Sequence, residues 1–227
     1  MNTSLTPVTL AKFFDHTLLK AYASSQDFQA FCATSAAYGF KMVAINPAPV
    51  RLCKELLKDT DVHVGAAVGF PLGQNTTDVK CFEAQQAISE GADEIDYVIN
   101  ITHLKDKQYD AVAREMEQIV SICRKAHVVS KVIFENCYLT EEEKKDMCRI
   151  AREVHPDFIK TSTGFGTGGA TLEDVILMKK MVGDDVKIKA AGGIRTLETA
   201  LKLIDVGISR IGSTASVEIV EAFKKAL

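Results

Sequence analysis

The chain has 227 residues, with 27 lysines and arginines against 30 aspartates and glutamates, a net charge of −3, and no tryptophan. That length suits one domain of the α/β-barrel size, and the near-neutral balance argues against nucleic acid or a membrane surface as partner. No apolar run approaches the roughly 18–20 residues that span a bilayer.

In chain order, the opening MNTSLTPVTLAKFF lacks a basic segment followed by an apolar core, so no secretory signal is expected. The six cysteines (Cys32, Cys53, Cys81, Cys123, Cys137, Cys148) form no C-x-x-C pair. That usage suits a reducing cytoplasm, with cysteine serving as a small apolar residue. Eight strands are predicted: FDHTLL (14–19), MVAIN (42–46), VHVGAAVG (62–69), EIDYVIN (94–100), KVIFEN (131–136), FIKTS (158–162), VKIKAA (186–191) and SRIGS (209–213). Helical patterns lie between them. After the fourth strand, Tyr109, Val112, Ala113, Met116, Ile119, Val120 and Cys123 recur at helical spacing, and Leu197, Ala200, Leu201 and Ile204 do so after the seventh. Thr140 with Glu143 reads as a capping box, and Thr171 precedes an acidic first turn of Glu173 and Asp174. Eight β-α units predict a (β/α)8 barrel in a single domain over 1–227, with a doubly wound open sheet as the alternative.

Strand parity then assigns faces, because alternate residues of a barrel strand point to the lumen. In EIDYVIN the apolar Ile95, Tyr97 and Ile99 suit the helix layer, which sends Glu94, Asp96, Val98 and Asn100 inward. Phe158, Lys160 and Ser162 share a face, and Lys187 and Lys189 point in opposite Val186, Ile188 and Ala190. Glu135 and Asp15 are further inward candidates. Lys189 lies nearer than Lys187 to the C-terminal rim, where barrel active sites form.

Lys160 and Lys189 carry the chemistry. A lysine at a strand end is either a surface residue or an amine held for covalent work, because a buried ammonium is costly. Two lysines at the mouths of consecutive strands favour the second reading. A neutral amine adds to an aldehyde or ketone and forms a Schiff base. An ordinary lysine is neutral in only roughly one molecule in two thousand at pH 7, and moving its pKa to about 7 takes roughly 4–5 kcal/mol of disfavour for the ammonium. A second lysine nearby supplies part of that. Asp96 reads either as a counter-ion or as the acid/base that moves protons between intermediates. The turns STGFGTGGAT, AGGIRT and IGSTAS end strands six to eight, and freed backbone N–H groups there make anion sites. Gly192, Gly193, Ser213 and Thr214 are the phosphate-binding candidates, with Gly164 beside them. GFGTGG also matches a dinucleotide fingerprint, but Lys189-Ala190-Ala191 stands where that motif needs an acidic residue after the next strand. The five histidines have no ligand-like spacing, so no metal is expected, and His16 reads as a core residue or as a group orienting Asp15.

Taken together, DHTLL, VGFPLGQNTTDVK, GADEIDYVIN, KVIFENCYLT, DFIKTSTGFGTGGAT, IKAAGGIRT and RIGSTAS resemble, in order and end to end, the deoxyribose-phosphate aldolases of the DeoC family, which are class I aldolases. The resemblance implies reversible cleavage of 2-deoxy-D-ribose 5-phosphate to D-glyceraldehyde 3-phosphate and acetaldehyde, without metal or organic cofactor. It implies Lys160 as Schiff-base nucleophile, Lys189 as the lysine that lowers its pKa, Asp96 as the proton-handling group and Asp15 as a supporting carboxylate. It places the phosphate at Gly164, Gly192, Gly193, Ser213 and Thr214, and suggests a cytoplasmic homodimer. The chain departs from the family pattern at Ala191, Asn136 and Ala44, and its EAFKKAL end lacks the tyrosine tail of some members.

Overall fold

The computed structural model describes residues 5–227, so Met1 to Ser4 of the opening stretch lie outside the described residues. Eight parallel strands close into a barrel in sequence order. They are β1 (Phe14–Leu18), β2 (Met42–Ile45), β3 (His63–Val68), β4 (Glu94–Val98), β5 (Val129–Ile133), β6 (Phe158–Lys160), β7 (Lys187–Ala191) and β8 (Arg210–Ser213). The expected (β/α)8 barrel is therefore the observed fold, and the open-sheet alternative is excluded by the pairing of β1 with β8.

The surrounding helices are α1 (Pro7–Ala11), α2 (Ser25–Tyr38), α3 (Val50–Leu56), α4 (Thr77–Ser89), α5 (Ile101–Lys105), α6 (Tyr109–Lys125), α7 (Glu141–Val154), α8 (Leu172–Val182), α9 (Leu197–Val206) and α10 (Ser216–Lys225). The predicted start signals are present. Thr140 and Glu143 form the capping box of α7, and the Thr171 side chain caps α8 above Glu173 and Asp174. Among the described residues no helix is long and apolar enough to cross a membrane.

The main apolar core lies between strands and helices, where Ile95, Tyr97, Ile99, Ile188 and Ala190 are fully or almost fully buried. His16 belongs to this layer. It stacks on Phe31 at 4.6 Å and packs against Phe40 at 4.9 Å, and burial pushes its pKa down to about 4. It is a neutral core histidine and does not orient Asp15.

Three strands stop two or more residues short of the sequence reading, β4 among them at Val98 rather than 100. β5 stops at Ile133 rather than 136, and β6 stops at Lys160 rather than 162. The chain turns at Glu135, whose φ of 56° is left-handed and cannot continue a strand. Glu135 and Ser162 thus sit on the rim above the strands, while Lys160 is the last residue of its own.

A buried pair behind the barrel fixes another part of that rim. Lys80 of α4 is fully buried and donates to the Val98 carbonyl at 2.8 Å and to Glu115 of α6 at 2.9 Å. Glu115 also accepts the Asn100 N–H at 3.1 Å, so two side chains from the helix layer clamp the end of β4. Burial pushes the Lys80 pKa down against the pull of Glu115.

Candidate active site

The lumen is filled by charge rather than by the branched apolar layers common in such barrels. Small residues on β2, β3 and β8 (Ala44, Gly65, Ala67, Gly212) leave space, and long side chains from β5 to β8 cross it. A Cβ on Gly65 would fall 2.4 Å from the Met42 sulfur, and one on Gly212 would fall 2.9 Å from Ala191 Cβ and 3.2 Å from Lys189 Cε. Only glycine at those places lets Met42 and Lys189 lie across the barrel.

The charges then form one connected cluster. Asp96 Oδ2 accepts from Lys160 Nζ at 2.8 Å and from Lys189 Nζ at 2.6 Å, and its Oδ1 accepts from Lys131 Nζ at 2.7 Å. Below it, Lys189 reaches Asp15 Oδ2 at 2.6 Å, and Lys131 reaches Glu94 Oε2 at 2.5 Å. Arg210 pairs with both Asp15 and Glu94, and His63 Nδ1 closes the network on Glu94 at 2.7 Å. Lys160 and Lys189 are direct neighbours in register, as their matching positions require.

Four cations (Lys131, Lys160, Lys189, Arg210) therefore face three carboxylates (Asp15, Glu94, Asp96). A fully ionised cluster carries one excess positive charge in a dry interior, which favours loss of one proton. Lys160 is the group that yields it. Burial, followed by the Lys189 and Lys131 charges, pushes its pKa down to about 8, even though Asp96 pulls the other way. Lys131 behaves oppositely: burial works against its charge, but Asp96, Glu94 and Asp15 hold its pKa above that of a free lysine. Asp96 stays ionised because Lys131, Lys160 and Lys189 together outweigh its burial and hold its pKa well below the usual range.

Above the cluster opens a cavity of about 450 Å³ lined by Thr17, Ala44, Lys160, Thr163 and the glycine-rich turns. Lys160 is the one member of the cluster that reaches this lining, and Lys189 beneath it is fully buried. Gly164, Gly192, Gly193, Ser213 and Thr214 line the same cavity, as their motifs suggest. The backbone N–H groups of Gly164, Gly192, Gly193 and Thr214 meet no acceptor in the protein among the described residues. The two turns interlock, since a Cβ on Gly169 would fall 2.2 Å from the Gly192 carbonyl oxygen. The Ser213 hydroxyl is already engaged, donating to Ile194 O at 2.7 Å and accepting from Ala215 N at 2.9 Å, so Ser213 offers the cavity its backbone. A larger hollow of about 650 Å³ opens at the other end of the barrel around Lys12, Lys41, Lys54 and Lys58. None of the lumen amines reaches it, and Lys54 and Lys58 there are paired with Asp93 and Glu55.

Several expectations need correction. Glu135 does not join the lysines: its carboxylate bonds to Thr163 on the rim. Lys187 has the inward parity but lies exposed at the N-terminal opening, with its amine 5.6 Å from the centre of the Phe158 ring. Lys131 and Arg210 are full members of the cluster that the motifs did not single out. The alternation in KVIFEN and SRIGS, applied as it was to EIDYVIN, would have sent both inward.

A family model, DeoC, described as the DeoC/LacD family aldolase, matches residues 9–213. The deoxyribose-phosphate aldolase of Bacteroides thetaiotaomicron is 54% identical over 216 residues, 95% of this chain and 91% of that protein. Among solved structures, an aldolase designated QR15 superposes with a TM-score of 0.90 at 41% identity, covering 95% of this chain and 96% of that one. The tetrameric deoxyribose phosphate aldolase of Aeropyrum pernix superposes with a TM-score of 0.90 at 30% identity, over 98% of this chain and 94% of that one. By the extent of the family match and by this identity along nearly its whole length, the chain belongs to the DeoC/LacD family of aldolases.

Proposed function

We propose that the enzyme is a class I aldolase that reversibly cleaves 2-deoxy-D-ribose 5-phosphate to D-glyceraldehyde 3-phosphate and acetaldehyde through a Schiff base on Lys160. One observation carries this reading: Lys160 is the lumen amine that faces the cavity and also the one pushed down to about 8. At pH 7 that shift raises the neutral fraction about 200-fold over an ordinary lysine.

The steps follow from the contacts. Lys160 Nζ adds to C1 of the open-chain sugar, and the carbinolamine loses water to give an iminium ion. The C3 hydroxyl gives up its proton, the C2–C3 bond breaks, and its electron pair flows toward the iminium nitrogen to leave a two-carbon enamine. Glyceraldehyde 3-phosphate departs with C3 to C5. Protonation of the enamine at C2 and hydrolysis release acetaldehyde and restore the amine. Asp96 Oδ2, shared by Lys160 and Lys189, relays these protons through water while itself resting as the carboxylate, with Lys189 as the neighbouring donor. Asp15 holds Lys189 and Arg210 in place and touches no substrate. The free N–H groups of Gly164, Gly192, Gly193 and Thr214 receive the phosphate, and the positive end of α10 opens beside Thr214. The reading includes a cytoplasmic homo-oligomer, a dimer by the resemblance, whereas the Aeropyrum relative is described as a tetramer.

Borohydride trapping with acetaldehyde, followed by peptide mass spectrometry, tests the nucleophile. A reduced two-carbon adduct is expected on the peptide that contains Lys160 and is expected to vanish in Lys160→Met. Labelling of Lys189 would reverse the two roles, and a folded parent protein with no adduct would remove the aldolase mechanism.

The pH profile is a separate check. The reactive form is the free amine, so kcat/KM is expected to rise with pH through about 8 and then level off. A profile flat from pH 6 to 9 would show that Lys160 does not control it.

A further inference from the structure

Glu135 is a buried carboxylate, 2% exposed, and no lysine or arginine among the described residues lies within ion-pair distance of it. Burying an unpaired carboxylate is expensive unless donors surround it. Here both oxygens are occupied. Oε1 accepts the Thr163 N–H at 3.2 Å and lies 3.8 Å from the Cys137 sulfur, and Oε2 accepts the Thr163 hydroxyl. Its backbone is left-handed, at φ 56°. Lys107, His127 and His155 share that conformation, but they follow helix ends, whereas Glu135 lies just past the end of β5 and is bonded to Thr163, which lines the cavity. Strain of this kind at a rim points to a task for the side chain.

That task can be followed atom by atom. The Thr163 hydroxyl donates its proton to Glu135 Oε2. The Thr163 oxygen is then left as an acceptor, and it takes the Phe165 N–H at 3.0 Å. The turn 163–165 is closed by this chain of two bonds, with Gly164 at φ 88° between them and its own N–H left unbonded on the cavity wall. Gly166 lies directly over the same pair of side chains, since a Cβ there would fall 2.7 Å from the Cys137 sulfur and 3.1 Å from Glu135 Cδ.

We propose that Glu135 is a positioning residue for the substrate phosphate: acting through Thr163, it holds the turn after β6 so that the Gly164 N–H faces the anion. The proposal rests on the sugar-phosphate reading above and adds to it the side chain that sets the preference for a phosphorylated substrate. Glu135 touches none of the lysines, so its effect is confined to phosphate recognition.

The test compares 2-deoxyribose 5-phosphate with unphosphorylated 2-deoxyribose in the parent, Glu135→Gln, Thr163→Val and Thr163→Ser. The amide of Gln offers a donor where Thr163 now donates, which breaks the direction of the chain. The ratio of kcat/KM for the two substrates is expected to fall about tenfold in Glu135→Gln, mainly through KM, the size of one lost hydrogen bond. Thr163→Val, which leaves Glu135 in place and serves if the Gln variant does not fold, is expected to show the same fall, and Thr163→Ser to restore the ratio. An unchanged ratio in a folded variant, or an equal loss on both substrates, overturns the proposal. Failure of the parent to cleave 2-deoxyribose 5-phosphate would instead refute the substrate reading. The rise in Tm caused by inorganic phosphate, expected to shrink in Thr163→Val, still reports on the turn in that event.

Discussion

Lys160→Met is expected to lower turnover by about four to six orders of magnitude, in line with loss of the attacking group in enzymes that work through a covalent intermediate. No other amine of the lumen can replace it from its present position. Lys189 lies beneath the cavity floor with its Nζ between Asp15 and Asp96, and Lys131 is held between Glu94 and Asp96. Turnover within a hundredfold of the parent would mean that a second amine reaches the substrate. The same substitution is expected to stabilise the protein. A pKa of about 8 means that folding disfavours the Lys160 ammonium by about 3 kcal/mol relative to an unfolded chain. Because the folded pKa is depressed, that penalty is present in full below pH 8 and fades as pH rises toward the unfolded value of about 10.4. Urea unfolding at pH 7 should therefore show the variant as the more stable protein, with the advantage shrinking by pH 10.

Lys131→Met, an equally conservative change in shape, is expected to do the reverse and remove about 3–5 kcal/mol of stability. Lys131 is fully buried, and its ammonium is the contact shared by Glu94 and Asp96. Removing it balances the cluster at three cations to three carboxylates but takes a buried donor from Glu94 and Asp96 alike, leaving Arg210 and His63 on one and Lys160 and Lys189 on the other. The sign with pH also differs from that of Lys160. A lysine whose folded pKa is raised contributes stability that is complete below the unfolded value and is lost only as pH climbs through the folded one. Across pH 6–9 the deficit of the variant should thus be nearly constant. A Lys131→Met protein as stable as the parent at pH 7 would mean that the cluster reorganises, and the assignment of Lys160 as the proton-yielding amine would fall with it. The opposite outcomes at two lysines one strand apart distinguish a site tuned for reactivity from one that holds the barrel together.

Much of this was legible from alternation alone. The run EIDYVIN, with its apolar residues on one parity, already places Glu94 and Asp96 in the lumen, and the strand-end positions of Lys160 and Lys189 make them neighbours. The glycine turns are equally plain, because their positive φ angles at Gly164, Gly192 and Gly193 suit no other residue well. Lys131 and Arg210 are harder to read because each stands at or beside the start of its predicted run, where a charged residue at a solvent-facing strand end is the ordinary reading. Lys80 and Glu115 were beyond reach, since each lies on a helix of mixed polarity and their pairing depends on how α4 and α6 pack. Glu135 reads from its parity as an inward residue, and it lies instead on the rim. Alternation would aim it at the lysines, and the left-handed turn of its backbone aims it at Thr163 instead.

The closed ring of ion pairs in the lumen also determines how the Lys160 amine responds to its medium. Mobile ions weaken charge interactions in water over about 8–10 Å at physiological ionic strength, yet they act far less on pairs sealed from solvent. Lys160 is 5% exposed, and its partners Asp96, Lys131 and Lys189 are buried as deeply or deeper. Its acidity is therefore set by covalently tethered charges whose concentration no buffer can change. The glycine-lined rim proposed to hold the phosphate has no such shelter. Brine and fresh water should thus alter how readily the sugar phosphate is captured while leaving the readiness of the amine to react almost untouched.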